Sequence, residues 1–185
     1  RVVPFEYGGL TSGRTSRGLR SAGSPEFELS SAAAYDETIR AKGIIVDVEE
    51  RRACIWERAQ ALAAEVGGTI PESPELLAEV ANLVEAPTPL RGGFDPRYLE
   101  LPRDVLVTVM QKHQRYFSVE RPEGSGEQSS LLPYFITVAN GDVDIDTVRK
   151  GNEEVIEARY ADAAFFWERD TKTPLEAFRP ALSGL

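Results

Sequence analysis

The chain has 185 residues, of which 42% are hydrophobic and 28% are charged, the composition of an ordinary globular protein. Its formal net charge of −9 argues against a nonspecific coat for nucleic acid, because such a protein is normally basic. No apolar run is long enough to span a membrane, and a single cysteine, Cys54, excludes a disulfide framework and a thiolate metal cluster.

The first quarter of the chain alternates short extended stretches with polar connections. Residues 8–18 are rich in Gly, Ser and Thr, and this composition predicts a loop. A helix capped by Ser30 or Ser31 is expected through about Lys42, with Gly43 as its stop signal. Three extended segments are expected around these features, at residues 1–7, 26–29 and 44–48. The strand-like start at Arg1 indicates a piece of a longer polypeptide.

Two helices are predicted next. Residues 49–66 show apolar side chains at helical spacing, and Gly67 and Gly68 follow them. A second helix starts near Ser73, with Pro74 in its first turn, and reaches Val84. The prolines and glycines between residues 87 and 93 then predict an irregular break.

The second half predicts a helix, a hairpin and a final helix. Pro102 opens the first helix, and residues 115–120 and 132–138 form an antiparallel hairpin whose tip spans residues 121–130. The last helix runs from Asn152, a plausible N-cap, to about Arg169. Its apolar run at residues 161–167 is expected to pack in the core. Without a regular β-α-β alternation, these elements predict an α+β fold with a mixed or antiparallel sheet and packed helices.

One run, residues 110–117, lies where a helical pattern changes to a strand pattern, and it holds the only histidine and the only methionine. Its candidate ligand-binding members are Lys112, His113, Gln114, Arg115 and Tyr116. In one interpretation the two cations meet phosphates, the imidazole and amide bind bases or sugars, and the tyrosine stacks on a base. In the other, His113 caps the helix, favoured there by the helix dipole, and the aromatics alternate across a strand. The run alone leaves both open.

A second candidate site is the segment from Ser12 to Arg20. Arg14, Arg17 and Arg20 are spaced by three, with glycine and hydroxyl residues between them. Such a pattern can cradle a phosphate backbone. It is equally typical of a solvated flexible loop.

Catalytic patterns are missing from the sequence. One histidine and one cysteine in unrelated elements do not make a nucleophile and its base. No Walker-type phosphate loop and no metal-ligand cluster is present in the sequence. The chain therefore reads as a binding module that is not catalytic by itself.

Several long motifs in a fixed order carry a family resemblance. They are residues 110–117, 132–141, 151–153 and 158–166, with upstream support from residues 14–20, 46–52 and 79–87. Together they resemble the β subunit of bacterial-type glycyl-tRNA synthetase over nearly the whole chain. Residues 14–20 resemble that family's Arg-Gly-Arg-type loop, with Leu19 where a histidine often stands.

The resemblance implies a part of glycine–tRNA ligase, built as two α and two β subunits or as a fused α–β chain. ATP, Mg and glycine would bind in the class II site of α, so no cofactor is expected in this segment. Residues 1–170 would resemble the editing-type domain of the phenylalanyl-tRNA synthetase β chain, with 171–185 as a linker to a helical domain. The bacterial cytoplasm, or the interior of a plastid or mitochondrion, would be its location, with no membrane association.

The resemblance further implies that the segment grips the acceptor end of tRNA-Gly and delivers its 3′ end to the α catalytic site. The arginines at 14, 17 and 20 and the cluster at 112–116 would be the contacts. Two alternatives belong to other classes: an editing hydrolase for misacylated tRNA, and a structural module that holds α and β together.

Overall fold

The computed structural model describes residues 2–122, 131–172, 174, 176 and 177. Over these residues the chain forms five α-helices and small β-sheets, which confirms the predicted α+β class. It divides into two compact units, described separately below. The first contains Arg1–Ala59, Ser73–Leu90 and Val138–Ile145, and the second contains Gln60–Glu72, Arg91–Thr137 and Asp146–Leu185.

The strands are β1 (Glu6–Tyr7), β2 (Leu10–Thr11), β3 (Thr15–Arg17), β4 (Glu26–Glu28), β5 (Pro87–Gly93), β6 (Phe117–Glu120) and β7 (Leu131–Asn140). The helices are α1 (Tyr35–Arg40), α2 (Val48–Ala64), α3 (Pro74–Leu83), α4 (Arg103–Thr108) and α5 (Ile145–Thr171). Short 3₁₀ turns occupy Arg20–Ala22 and Pro96–Glu100. Among the described helices, none is long and apolar enough to cross a membrane.

The loop predicted at residues 8–18 is correct only in part: residues 8–9, 12–14 and 18 lie outside strands, but residues 10–11 and 15–17 belong to two hairpins. β1 pairs antiparallel with β2 around Gly8 and Gly9, whose φ angles are +59° and +78°. Two successive positive φ values belong to the turn type that joins two-residue hairpins. β3 pairs antiparallel with β4, which confirms the strand predicted at residues 26–29. The glycines therefore mark a tight turn and not one open loop.

The first unit has its own small core around α1. Gly43, at φ +78°, ends that segment as predicted. The helix begins at Tyr35, later than expected, although Ser31 Oγ does accept a hydrogen bond from the Ala34 N–H at 3.2 Å. Residues 44–47 form no strand, and Val48, the last residue of that predicted extended segment, begins α2. The buried members of this core are Leu19, Ile39, Ile44 and Ala86.

α2 and α3 confirm the two helices that apolar spacing predicted. α2 ends at Ala64, and α3 begins at Pro74, where the sequence placed a first-turn proline. Ile55 and Ala59 of α2 are fully buried. A regular apolar stripe was therefore a reliable sign of a packed helix here.

The break predicted at residues 87–93 is wrong, because these residues form β5. β5 lies at one edge of a three-stranded sheet in the order β5-β7-β6. Proline is tolerated on an edge strand, since its missing N–H can face away from the ladder. Gly92 is needed for close packing, because a Cβ there would come within 2.3 Å of Cζ of Phe135. Prolines and glycines in sequence, which predicted a break, are therefore also compatible with a closely packed edge strand.

The second unit holds the larger core. β6 and β7 pair antiparallel, which confirms the predicted hairpin, while most of its predicted tip, residues 123–130, lies outside the described residues. Aromatic contacts join its elements: the rings of Phe94 and Tyr160 are 4.9 Å apart, edge to face. The buried members are Phe94, Tyr98, Leu101, Leu106, Met110, Tyr116, Leu131, Phe135, Ile156 and Tyr160.

α5 begins at Ile145, seven residues before the predicted start, so Asn152 lies inside the helix and is not its N-cap. Ile156 and Tyr160 are fully buried, as their spacing predicted. The prediction that residues 161–167 pack in the core is wrong for the three aromatic residues, because Phe165, Phe166 and Trp167 are 63%, 49% and 44% exposed. The boundary predicted near residue 170 stays a prediction, because most of residues 173–185 lie outside the described part of the chain.

Candidate functional site

The distinctive run at residues 110–117 forms an unusual helix terminus. α4 widens into a π-helical turn at Val109–His113, and the chain then reverses at Arg115, whose φ is +58°. The Arg115 N–H donates to the Gln111 carbonyl at 3.2 Å, and the Tyr116 N–H donates to the Met110 carbonyl at 2.9 Å. Each bond spans one residue more than in a Schellman motif. Residues 109–116 are named the junction turn below.

This geometry is strained and is held from both ends. A left-handed conformation costs a residue other than glycine about 1–2 kcal/mol, and it persists where the surroundings fix it. Met110 is 0% exposed and Tyr116 is 4% exposed, so buried anchors flank the reversal. Between them Lys112, His113 and Arg115 are exposed. Wide π turns are frequent at functional sites, and this one carries its polar side chains on the surface.

Tyr116 belongs to the core of the second unit. Its ring stacks on Phe135, with centroids 4.6 Å apart and an angle of 12° between the planes. Its hydroxyl donates to Oδ1 of Asn152 at 2.5 Å. Burial raises the pKa of Tyr116 to about 12. The side chain predicted to stack on a base is therefore packed inside the protein, and the surface of the junction turn consists of its other predicted members, with Gln114 half-buried.

Polar side chains of α5 hold neighbouring backbone groups in place. Glu153 Oε1 accepts from the Gly93 N–H at 2.9 Å, and Glu157 Oε1 accepts from the Asp95 N–H at 2.7 Å. Asn152 Nδ2 donates to the Val148 carbonyl at 2.7 Å. Sequence reasoning had assigned Asn152 to a helix start. Nothing in the local sequence of α5 indicated that these side chains would bond to the backbone of other residues.

The predicted arginine site lies in the first unit, and its members have different surroundings. Arg17 lies opposite Glu26 in the β3–β4 pairing, and their side chains form an exposed ion pair at 2.6 Å. Arg14 and Arg20 are exposed, and Arg14 lines an open cleft of about 620 Å³ together with Ser12, Leu29 and Tyr35. Arg17 ends β3, whereas Arg14 lies in a bend just before that strand. That these three arginines contact phosphates stays a prediction.

Leu19, which stands where the family that the chain resembles often has a histidine, has a clear structural place. It is 9% exposed in the core of the first unit and packs with Ile39, Ile44 and Ala86. The following residue, Arg20, opens the 3₁₀ turn. A leucine at this position supplies packing that an imidazole would give only with a hydrogen-bond partner.

An ion pair with a buried carboxylate and a half-exposed guanidinium lies beside the junction turn, and sequence reasoning missed it. Arg103, at the start of α4, reaches Oε1 of Glu120 in β6 at 2.5 Å. The Glu120 side chain is 10% exposed and that of Arg103 is 44% exposed. A salt link between the first turn of α4 and the end of β6 fixes the two elements that enclose the junction turn. Alternating strand residues had given no reason to expect a buried carboxylate.

The junction turn offers two cations, one imidazole and one amide on a rigid base. These groups donate hydrogen bonds to phosphate oxygens or to the edges of bases and sugars. Among the residues that the structure describes, no group of three His, Cys, Asp or Glu side chains could hold a metal ion. The exposed donors of the junction turn are chemically suited to a polar, anionic ligand.

Comparison with known proteins identifies relatives over the whole chain. A family model described as "Glycyl-tRNA synthetase beta subunit" matches residues 1–185. The chloroplastic/mitochondrial glycine–tRNA ligase 2 of Arabidopsis thaliana is 48% identical over 184 residues, which cover 100% of this chain and 17% of that protein.

Bacterial relatives match to the same degree. The glycine–tRNA ligase β subunit of Desulfitobacterium hafniense is 47% identical over 175 residues, covering 94% of this chain and 24% of that protein. That of Moorella thermoacetica is 44% identical over 182 residues, covering 98% of this chain and 26% of that protein. The chain thus spans about a quarter of the length of these bacterial relatives.

Proposed function

Because the chain belongs to the glycyl-tRNA synthetase β-subunit family, we propose that it is part of a glycine–tRNA ligase and that its junction turn binds tRNA-Gly. The catalytic α subunit or domain, with ATP and Mg, is its partner in this proposal. The segment grips the acceptor end and presents the 3′ end to the α site. The bacterial cytoplasm, or a plastid or mitochondrial interior, is the proposed location, in keeping with the names of the relatives.

One observation supports this proposal best. The junction turn keeps Lys112, His113 and Arg115 at the surface while Met110 and Tyr116 on either side are buried. Ending a helix in a strained, π-widened reversal costs conformational free energy, and strain of this kind is typical of ligand-binding positions. The net charge of −9 over the whole chain favours binding that is local to such a cluster.

The test measures tRNA-Gly binding to the complete αβ enzyme at several salt concentrations. We expect Lys112→Ala/Arg115→Gln to weaken binding about tenfold or more, since a hydrogen bond to a charged group contributes about 1.5–3 kcal/mol. The slope of log K against log salt should fall by roughly 0.7–0.9 per lost phosphate contact. Lys150→Gln is the matched control, because Lys150 is an exposed lysine of the same unit. Unchanged affinity and slope in the double variant would refute the proposal.

The arginines of the first unit need a separate experiment. Arg14→Ala/Arg17→Ala removes two of the three predicted phosphate contacts. If both contact RNA, affinity and salt slope fall together. If Arg17 serves only its ion pair with Glu26, the Arg14 contact alone is lost and the slope falls by about half as much. An unchanged affinity and slope would exclude both contacts.

A second function, the assembly of α with β, is favoured by a different observation. Phe165, Phe166 and Trp167 expose between 44% and 63% of their surface on consecutive residues of α5. Adjacent exposed aromatics are typical of interaction surfaces. In this proposal Phe165→Ser/Trp167→Ser separates α from β in gel filtration, while tRNA binding by β remains. Intact complexes would exclude the assembly role for this surface.

A further inference from the structure

The anchoring of Tyr116 goes beyond ordinary packing. Its hydroxyl, 36 residues away in sequence from its acceptor, donates to Asn152 Oδ1 on α5. Tyr116 is also the residue whose N–H closes the junction turn on the Met110 carbonyl. One residue therefore ends the strained reversal and ties it to the long helix.

The amide of Asn152 can take only one orientation in this contact. Its Nδ2 donates to the Val148 carbonyl, one turn earlier in the same helix. Rotating the amide would place Oδ1 against that carbonyl, where two acceptors face each other. The helix backbone thus directs Oδ1 to the tyrosine hydroxyl, and the hydroxyl donates.

We propose that Asn152 and Tyr116 are positioning residues for tRNA binding. Their hydrogen bond holds the junction turn in the position and orientation in which Lys112, His113 and Arg115 contact the RNA. This inference rests on the proposed function of the junction turn. The Arg115 reversal is strained, and the cationic side chains around it are exposed. The buried residues at its two ends, Met110 and Tyr116, therefore fix where the cations lie, and Tyr116 is the end tied to α5. Neither residue touches the RNA.

The test uses Tyr116→Phe and Asn152→Ala in the complete αβ enzyme. Phenylalanine keeps the ring stacked on Phe135 and removes only the hydroxyl. Alanine raises the intrinsic helix propensity at position 152, so α5 itself is not weakened. We expect the KM for tRNA-Gly to rise about three- to tenfold in each variant, as for the loss of one hydrogen bond. Glycine-dependent pyrophosphate exchange, which needs no tRNA, and kcat at saturating tRNA should stay unchanged.

Tyr160→Phe is the matched control, because Tyr160 is a buried tyrosine of the same core whose hydroxyl donates to the Leu106 carbonyl at 3.3 Å. Its KM for tRNA-Gly should equal that of the unmodified enzyme. If Tyr116→Phe and Asn152→Ala lower the melting temperature but leave this KM unchanged, the positioning role is wrong and the contact is only structural.

The two proposals fail in different ways. If Lys112→Ala/Arg115→Gln weakens binding while Tyr116→Phe does not, the turn binds RNA and the positioning inference alone is overturned. If neither weakens binding, the proposed function of the turn is overturned as well. Equal rises in KM for Tyr116→Phe and Tyr160→Phe would also contradict the positioning role, since any lost hydroxyl would then have the same effect.

Discussion

A single methyl group at Gly92 should disturb the core on which the junction turn rests. Gly92 lies in β5, and a Cβ there would lie 2.3 Å from Cζ of Phe135 and 2.8 Å from its two Cε atoms. Ordinary contacts between carbon atoms are about 3.5–4.0 Å. Gly92→Ala therefore needs a shift of more than about 1 Å at the ring tip.

The ring of Phe135 has little freedom to move. It is 0% exposed, and Tyr116 stacks on it with centroids 4.6 Å apart. Overpacking of a well-packed core costs about 1–3 kcal/mol. We expect a value near the upper end, about 3 kcal/mol, because three ring atoms are overlapped. The displaced ring should push Tyr116, and the tRNA KM should rise together with the loss of stability.

The assay is native-state hydrogen exchange at the amides of β7 in the complete β subunit, which reports local unfolding free energy. Gly151→Ala is the control, since Gly151 is an exposed residue of α5 and a Cβ there meets no atom within 4 Å. That change should stabilise α5 by about 0.5–1 kcal/mol. A loss below about 0.5 kcal/mol for Gly92→Ala, or the same sign for both variants, would refute the reasoning.

Other consequences of the second unit can be measured by urea unfolding. Arg103→Ala leaves the Glu120 carboxylate buried, and we expect a loss of at most about 3 kcal/mol, the lower limit for a fully buried pair, because Arg103 is half-exposed. Arg149→Ala breaks an exposed ion pair and should cost less than about 0.5 kcal/mol. Equal losses in the two variants would contradict the conclusion that the burial of Glu120 makes its ion pair the stronger one. Burial raises the pKa of both Tyr116 and Tyr160 above 10, so the folded state keeps protons that the unfolded chain releases. The contribution of these tyrosines to the free energy of unfolding should therefore be fully present below pH 10 and fall by about 1.4 kcal/mol per pH unit per tyrosine from there towards pH 12. Tyr116→Phe should make this fall less steep.

Elements with a long regular pattern were predictable from the sequence. α2 was evident because Ile55 and Ala59 recur at helical spacing, and both are fully buried. The β6–β7 hairpin was evident from two alternating runs around a polar connection. In each case side-chain burial and local periodicity point to the same element.

Other elements depended on tertiary context. β5 was read as a break because prolines and glycines are poor strand residues, and only its place at the sheet edge makes them acceptable. The start of α5 was placed at Asn152 because asparagine suits an N-cap. In the structure Asn152 lies within α5, and its side chain bonds the Val148 carbonyl of the same helix and the Tyr116 hydroxyl.

The candidate site was predictable in composition and not in arrangement. The run from Lys112 to Tyr116 was recognised as a polar surface, yet alternation alone did not show that Tyr116 faces the core. The left-handed backbone of Arg115 and the extra residue of the π turn follow from how α4 meets β6, which local sequence does not encode. That these side chains contact tRNA stays a prediction.

The edge strand β5 has a consequence for how the protein meets other chains. Along an extended strand, the N–H groups of alternate residues point to the same side. The Phe94 N–H, just past β5, bonds the Pro133 carbonyl of β7, so residues 87, 89, 91 and 93 direct theirs outward. Pro87 and Pro89 have no N–H, and that of Gly93 is bonded to Glu153.

At the opposite edge, the end of β6 is also occupied. Thr69 and Glu120 exchange backbone hydrogen bonds at 2.8 Å in both directions. A foreign strand approaching the outer side of β5 would find almost no donors with which to extend the sheet. The same prolines that made β5 hard to recognise thus guard the sheet against edge-to-edge aggregation during synthesis and assembly.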